Sequence, residues 1–117
     1  MLPNRMQLSR QTEEQLKKLK GYTGLTPNIS ARLAFFRSIE NGYRYTFQKQ
    51  DIKLDGNLIL DKLTWLGETM HITELTLKYL YPTYSTKDLL KAWAAHVEDG
   101  ISAVRNYKSL NEFCRAL

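Results

Sequence analysis

Leu2-Pro3-Asn4-Arg5-Met6-Gln7-Leu8-Ser9, followed by Arg10-Gln11-Thr12-Glu13-Glu14-Gln15-Leu16-Lys17-Lys18-Leu19-Lys20 and then Gly24-Leu25-Thr26-Pro27-Asn28, is the stretch whose reading decides the fold. From Asn4 to Ser9 apolar and polar side chains alternate, so an extended backbone places Met6 and Leu8 on one face and Arg5 and Gln7 on the other. A strand this short, with a helix directly behind it, has no hairpin partner beside it. Its backbone groups must pair with another chain or with a distant segment. Ser9 is placed to cap the next helix, with Thr12 and Gln15 offering a second capping arrangement one turn later. Gly24 stops that helix in the manner of a left-handed cap, and Thr26 with Pro27 supplies the N-cap and first residue of another. The order is ribbon, helix, helix.

The two helices differ in how they divide their faces. On the first, Thr12, Leu16, Leu19 and Thr23 fall on one narrow face, while Arg10, Lys17, Lys18 and Lys20 share the opposite arc with Glu13 and Glu14. Glu13 with Lys17, and Glu14 with Lys18, are spaced i,i+4 and read as pairs on a solvated face, each contributing roughly a few tenths of a kcal/mol. Arg10 and Lys20 have no such acidic neighbour and are the better cations for an anionic ligand. Lys17 and Lys18 become available where their glutamates are displaced. The second helix carries Ile29, Leu33, Phe35, Phe36, Ile39 and Tyr43 over an arc of about 160°, wider than the simple surface stripe, so it must pack on two sides. A thin first stripe, a broad second one and an unpaired strand predict a core completed by a second chain. Arg32 lies inside the apolar arc, positioned to stack on Phe36 or to pair with Glu40.

Beyond Gly42, Tyr43, Tyr45 and Phe47 alternate with Arg44, Thr46 and Gln48, and Asp55-Gly56 gives a turn signal before Leu58-Ile59-Leu60. A small hairpin or extended excursion is predicted there. Thr69 to Leu80 reads as a helix with Met70, Leu77 and Leu80 inward, closed by Tyr81-Pro82. Ser85 caps a further helix through Leu89, Leu90, Trp93, Val97, Ile101 and Val104, and a last short helix is expected over Leu110 to Leu117. The predicted fold is mainly α: a ribbon-helix-helix-like unit over residues 1–43, then a short extended segment and two to three further helices over 44–117, together one domain.

Charge separates the two parts. Residues 1–50 hold nine Lys and Arg against Glu13, Glu14 and Glu40, a balance of +6, whereas the remaining 67 residues total −1 and the whole chain is +5. A positive balance confined to one end argues for an anionic partner, most directly a phosphate backbone. No apolar run approaches the roughly 20 residues of a membrane span, and the first residues lack the pattern of a secretory leader. The single cysteine, Cys114, excludes an internal disulfide and a multi-cysteine metal or iron–sulfur site built by one chain. The expected location is the reducing cytoplasm. His71 and His96 lie far apart and in no metal-ligand spacing, and Glu68 with His71 one turn later lacks the third group that catalysis needs. No phosphate-binding glycine loop, nucleophile elbow or CxxC occurs, so no cofactor, metal site or catalytic residue is expected.

Asn4-Arg5, Leu16-Lys17-Lys18-Leu19-Lys20, Thr23-Gly24-Leu25-Thr26-Pro27-Asn28, Arg32-Leu33-Ala34, Asp55-Gly56, Gly67-Glu68 and His96 with Gly100 together resemble the DndE family, the small subunit of bacterial DNA phosphorothioation (DNA sulfur modification) systems. The Thr-Gly-Leu-Thr-Pro-Asn segment carries most of the resemblance, which spans nearly the full chain. It implies a ribbon-helix-helix-like fold, a homo-oligomer that is a tetramer by preference, and binding of duplex DNA, including nicked duplex. It also implies work beside a cysteine desulfurase, a sulfurtransferase-like iron–sulfur subunit and an SMC-like ATPase, which together exchange a non-bridging phosphate oxygen for sulfur. The sulfur chemistry then belongs to the partners.

The expected function is therefore a non-enzymatic DNA-binding subunit. Arg5, Arg10, Lys17, Lys18 and Lys20, with Thr26 and Asn28 at the second helix start, are the expected phosphate contacts. Three other readings compete. A sequence-specific ribbon-helix-helix repressor would read bases through Arg5 and Gln7, although Pro3 and the bulky Met6 weaken a paired ribbon in a major groove. A nickase would use Asp51, Asp55 or Glu68 with magnesium. A scaffold would dock its basic face on an acidic protein.

Overall fold

The computed structural model describes residues 1–46, 51–104 and 115. In chain order it contains β1 (Arg5–Met6), α1 (Arg10–Thr23), α2 (Pro27–Glu40), β2 (Leu60–Asp61), α3 (Lys62–Leu66), a 3-10 turn (Gly67–Thr69), α4 (Met70–Leu80) and α5 (Thr86–Val104). The protein is mainly helical, with one small two-stranded antiparallel sheet at its N-terminal end. The expected helix over Leu110 to Leu117 lies outside the described residues, as do Phe47, Gln48 and Cys114.

The lone strand finds its partner in a distant segment of its own chain. Arg5 pairs with Asp61 and Met6 with Leu60, and the Lys62 N–H extends the ladder by donating to the Asn4 carbonyl at 2.7 Å. Alternation holds: Met6 and Leu8 are buried and Arg5 is exposed. Three further bonds pin the arm. The Leu2 N–H donates to Glu74 Oε2 at 2.9 Å, Lys62 Nζ donates to the Leu2 carbonyl at 3.3 Å, and Trp65 Nε1 donates to the Met6 carbonyl at 2.8 Å.

Of the hairpin or extended excursion expected between Tyr43 and Leu60, the hairpin does not form among the described residues. Residues 43–46 and 51–59 carry no strand, because the polar groups around Asp55-Gly56 are spent on the N-terminal arm. The Gly56 N–H donates to the Leu8 carbonyl at 2.9 Å, and the Gln7 side-chain amide donates to the Leu54 and Gly56 carbonyls at 2.7 and 3.1 Å. Helix α3 is an addition to the predicted elements. Its start is set by Asp61, whose carboxylate accepts the Thr64 N–H at 2.7 Å.

Helix α2 runs through the middle of the molecule, with α5 as its principal neighbour and α1 and α3 beside it. Its two-sided packing is thus supplied within the chain. Its deepest row differs from the predicted arc: Ser30, Ala31, Ala34, Phe35 and Ser38 are buried, whereas Leu33, Phe36 and Ile39 pack at the margin and Ile29 is exposed. Small side chains let α5 come close. A Cβ added at Gly100 would sit 1.9 Å from the Ala34 carbonyl oxygen, so the backbones of α2 and α5 touch there. From α5, Leu89, Ala92, Trp93, Val97 and Ile101 complete the core, with Trp93 edge-on to Trp65 of α3 at a ring separation of 5.5 Å.

His96 of α5 is fully enclosed. Its Nδ1 is hydrogen-bonded to Ser38 Oγ at 2.9 Å and its Nε2 to the Tyr81 hydroxyl at 2.7 Å, while that hydroxyl also accepts the Tyr45 N–H at 2.8 Å. Burial, with help from Arg44, pulls the imidazole down to about 4, so it is neutral at physiological pH.

Helix α4 faces the core with Thr73, Glu74 and Leu77. Met70 and Leu80, predicted as inward, are partly buried and pack against the core. It ends at Leu80, before Tyr81-Pro82, as predicted.

Candidate nucleic-acid interface

Helix α1 carries the cations. Its N-terminus is closed twice: Ser9 Oγ accepts the Thr12 N–H at 3.2 Å, and Asp55 Oδ1 accepts the Arg10 N–H at 2.8 Å. That bond from Arg10 holds the Asp55 carboxyl below its usual value. At the other end Gly24 takes φ +79° and its N–H donates to the Lys20 carbonyl. Thr12, Leu16, Leu19 and Thr23 form the buried face, as the wheel predicts.

Glu13 is the departure. It is buried rather than solvated, with 3% of its surface exposed, and one carboxylate oxygen accepts the Leu58 N–H. The other lies 3.4 Å from Lys17 Nζ. Burial pushes its pKa up, but the Leu58 N–H and the Lys17 ammonium outweigh that and hold the carboxyl below its usual value. Glu13 therefore faces the 54–58 segment. Lys17, Lys18, Lys20 and Arg10 all remain exposed on the outer side, with Glu14 among them. The Glu13–Lys17 pair forms, and no Glu14–Lys18 ion pair occurs among the described residues.

The other candidates sit apart from this helix. Arg5 is exposed on β1 opposite Asp61. Thr26 is the N-cap residue of α2 and Pro27 its first residue, yet the Thr26 hydroxyl donates to Asn28 Oδ1 and caps no backbone N–H. The Asn28 side-chain amide in turn donates to the Thr64 carbonyl at 3.2 Å. Arg32 neither stacks on Phe36 nor pairs with Glu40. Its guanidinium donates from Nε to the Trp65 carbonyl at 2.8 Å and from Nη2 to the Thr64 carbonyl at 2.9 Å, capping the end of α3. Gly67, at φ +54°, leaves the room that guanidinium occupies, since a Cβ there would come within 2.7 Å of it.

Gln7, Asp51 and Asp55, which the alternative readings would use, make structural contacts, whereas Arg5 and Glu68 are exposed. Gln7 spends its amide on Leu54 and Gly56. Asp51 lies 3.4 Å from Lys91, and Asp55 caps α1. Among the described residues no group of three His, Cys, Asp or Glu is placed to hold a metal ion, and no helix is long and apolar enough to cross a membrane.

Fold and surface define a small, mainly helical protein whose exposed lysine row is mounted on a rigidly capped helix. Residues 5–112 match the model of the family described as "DNA sulphur modification protein DndE", and the chain belongs to that family. A crystal structure of DndE from Escherichia coli B7A involved in DNA phosphorothioation modification is 71% identical, with a TM-score of 0.86 over 88% of this chain and 99% of that one. A second, of a DndE G21/24K mutant involved in DNA phosphorothioation, is 68% identical, with a TM-score of 0.84 over 88% of this chain and 98% of that one. No curated protein matches the chain.

Proposed function

We propose that this chain is the non-enzymatic DNA-holding subunit of a bacterial phosphorothioation system. Lys17, Lys18 and Lys20, with Arg5 and Arg10, grip the phosphates of duplex DNA, nicked duplex included, and the α2 start at Thr26 and Asn28 adds backbone N–H groups. The observation that carries this reading is the inward turn of Glu13. Burying that carboxylate on the Leu58 N–H leaves Lys18 and Lys20 on the outer side of α1 with Glu14 as the acid of that face, while Arg10 stands at the helix start beside Asp55. The subunit works in the cytoplasm as a homo-oligomer, a tetramer by preference. It presents DNA to a cysteine desulfurase, a sulfurtransferase-like iron–sulfur subunit and an SMC-like ATPase.

Binding of this kind reads the backbone rather than the bases, so affinity should be nearly independent of sequence and fall steeply with salt. Removing one lysine from the phosphates should lower the log–log salt slope by about one. The test is binding to intact, nicked and single-stranded DNA over a salt series, for the wild type and for Lys17→Glu, Lys18→Glu and Lys20→Glu combined. Unchanged duplex affinity and slope in the triple variant would refute the assignment.

A further inference from the structure

Tyr22 is 49% exposed near the end of α1, whereas Leu16 and Leu19, the other large apolar side chains of that helix, are buried. Lys18 precedes it by one turn, so ammonium and ring share one strip of the helix surface. The surface beside the ring is open: a Cβ added at Gly21 or at Gly24 would meet nothing within 4 Å. Directly after Tyr22 the chain turns through Gly24 into α2, whose start carries Thr26 and Asn28. In the chain, Tyr22 thus stands between the lysine row and the α2 start, the two elements read above as phosphate contacts. A side chain set between phosphate contacts meets what joins two phosphates, a nucleoside.

We propose that Tyr22 is a stacking platform for an unstacked nucleobase and so a specificity-determining residue, favouring duplex DNA with a break over continuous duplex. The inference rests on the DNA reading above and names the feature of the DNA that this surface selects. Lysine ammonium groups do not distinguish the two substrates, because both present the same run of phosphate charge. An aromatic ring does. In a continuous duplex each base is held between two neighbours, and swinging one out loses both pairing and stacking. Beside a break one neighbour is no longer tied through the backbone, so unstacking costs less, and a ring at the protein surface replaces the lost face-to-face contact. Tyrosine suits an exposed position of this kind, since its apolar face stacks while its hydroxyl stays in water. Stacking accepts any base, in keeping with a surface that holds backbone rather than reads sequence.

Two measurements on the full chain test the proposal. Of intact and nicked duplexes of one sequence, the wild type should favour the nicked one. Tyr22→Ala should lower that preference about tenfold, the size of a lost base–aromatic contact, and Tyr22→Phe should keep it. A nicked duplex carrying iodouracil at the break, irradiated in the complex, should cross-link to Tyr22, whereas the same base inside continuous duplex should not. A preference that Tyr22→Ala leaves intact, a wild type that does not favour the nick, or a cross-link that maps elsewhere overturns the stacking role. Each of these spares phosphate binding, which the charge-reversed lysines test separately. A wild type that binds neither duplex overturns both. Tyr22→Ala alters one exposed side chain, so its circular dichroism should match the wild type; a changed assembled mass would assign the ring to a contact between copies and overturn the proposal.

Discussion

Gly100→Ala should reverse the effect that this substitution has in an exposed helix. There, alanine is favoured over glycine by about 1 kcal/mol. At Gly100 the added Cβ would lie 1.9 Å from the Ala34 oxygen, 2.5 Å from its carbonyl carbon and 2.8 Å from its Cα. All three are backbone atoms of α2, so no rotamer change relieves them. Ordinary contact begins near 3.4 Å, and α2 and α5 would have to separate by about 1.5 Å along that line in a close-packed interior. Overpacking of this kind costs about 3 kcal/mol, the upper part of its usual range, because both sides are main chain. Set against the propensity gain, the net loss is about 2 kcal/mol, or roughly 8 °C in Tm for a domain of this length. Thermal and urea unfolding, followed by helical circular dichroism, measure both quantities. Ala34→Gly should not rescue the variant, since it removes a methyl group and leaves the carbonyl in place. A Tm at or above that of the wild type would refute the backbone contact.

Protonation of His96 gives a second measurable effect. The unfolded imidazole takes up its proton near pH 6.5 and the folded one only near 4, so the stability present above 6.5 is lost as pH falls through that window, by about 3 kcal/mol. His96→Asn should lack this slope in urea unfolding; equal slopes would show that His96 is not held neutral. Glu13→Ala strands the Leu58 N–H and should cost about 2 kcal/mol in the same assay, and a loss within experimental error would remove Glu13 as the anchor of the 54–58 segment. Arg32→Lys replaces two directed bonds with one point charge and should cost about 1 kcal/mol; hydrogen exchange at the end of α3 should quicken, and unchanged exchange there would contradict the cap.

Local signals carried most of what was legible in the sequence. Ser9, Gly24, Thr26-Pro27 and Tyr81-Pro82 each act on backbone within a few residues, and the helices begin and end where they indicate. The helix wheel found the Thr12, Leu16, Leu19 and Thr23 stripe of α1 and misplaced Glu13, which is buried with it. It misplaced the deep face of α2 because it ranks Phe36 and Ile39 above Ala34 and Ser38. Close approach of α5 reverses that ranking, and the clue was a glycine 66 positions away. The same limit applies at the surface. The i,i+4 rule found Lys17 for Glu13, yet the stronger partner of that carboxylate is the Leu58 N–H, 45 residues on. Arg32 likewise belongs to carbonyls 32 and 33 residues away. Such bonds depend on tertiary placement, which no periodicity encodes. The lysines needed no such information, because exposure on the outer side of an amphipathic helix follows from the wheel alone.

The buried chain from Tyr45 through Tyr81 and His96 to Ser38 ties a loop to α2 through α5. A backbone N–H can only donate, so the Tyr81 oxygen accepts from Tyr45. The neutral imidazole carries one N–H, which lies in the bond to Tyr81 or in the bond to Ser38, and a hydroxyl donates to the ring nitrogen that lacks the proton. The nitrogen chemical shifts of His96 read which of the two tautomers is present. Tyr81→Phe would remove the bond at Nε2 and leave Ser38 as the ring's hydrogen-bond partner, without touching either of the helices that His96 and Ser38 join.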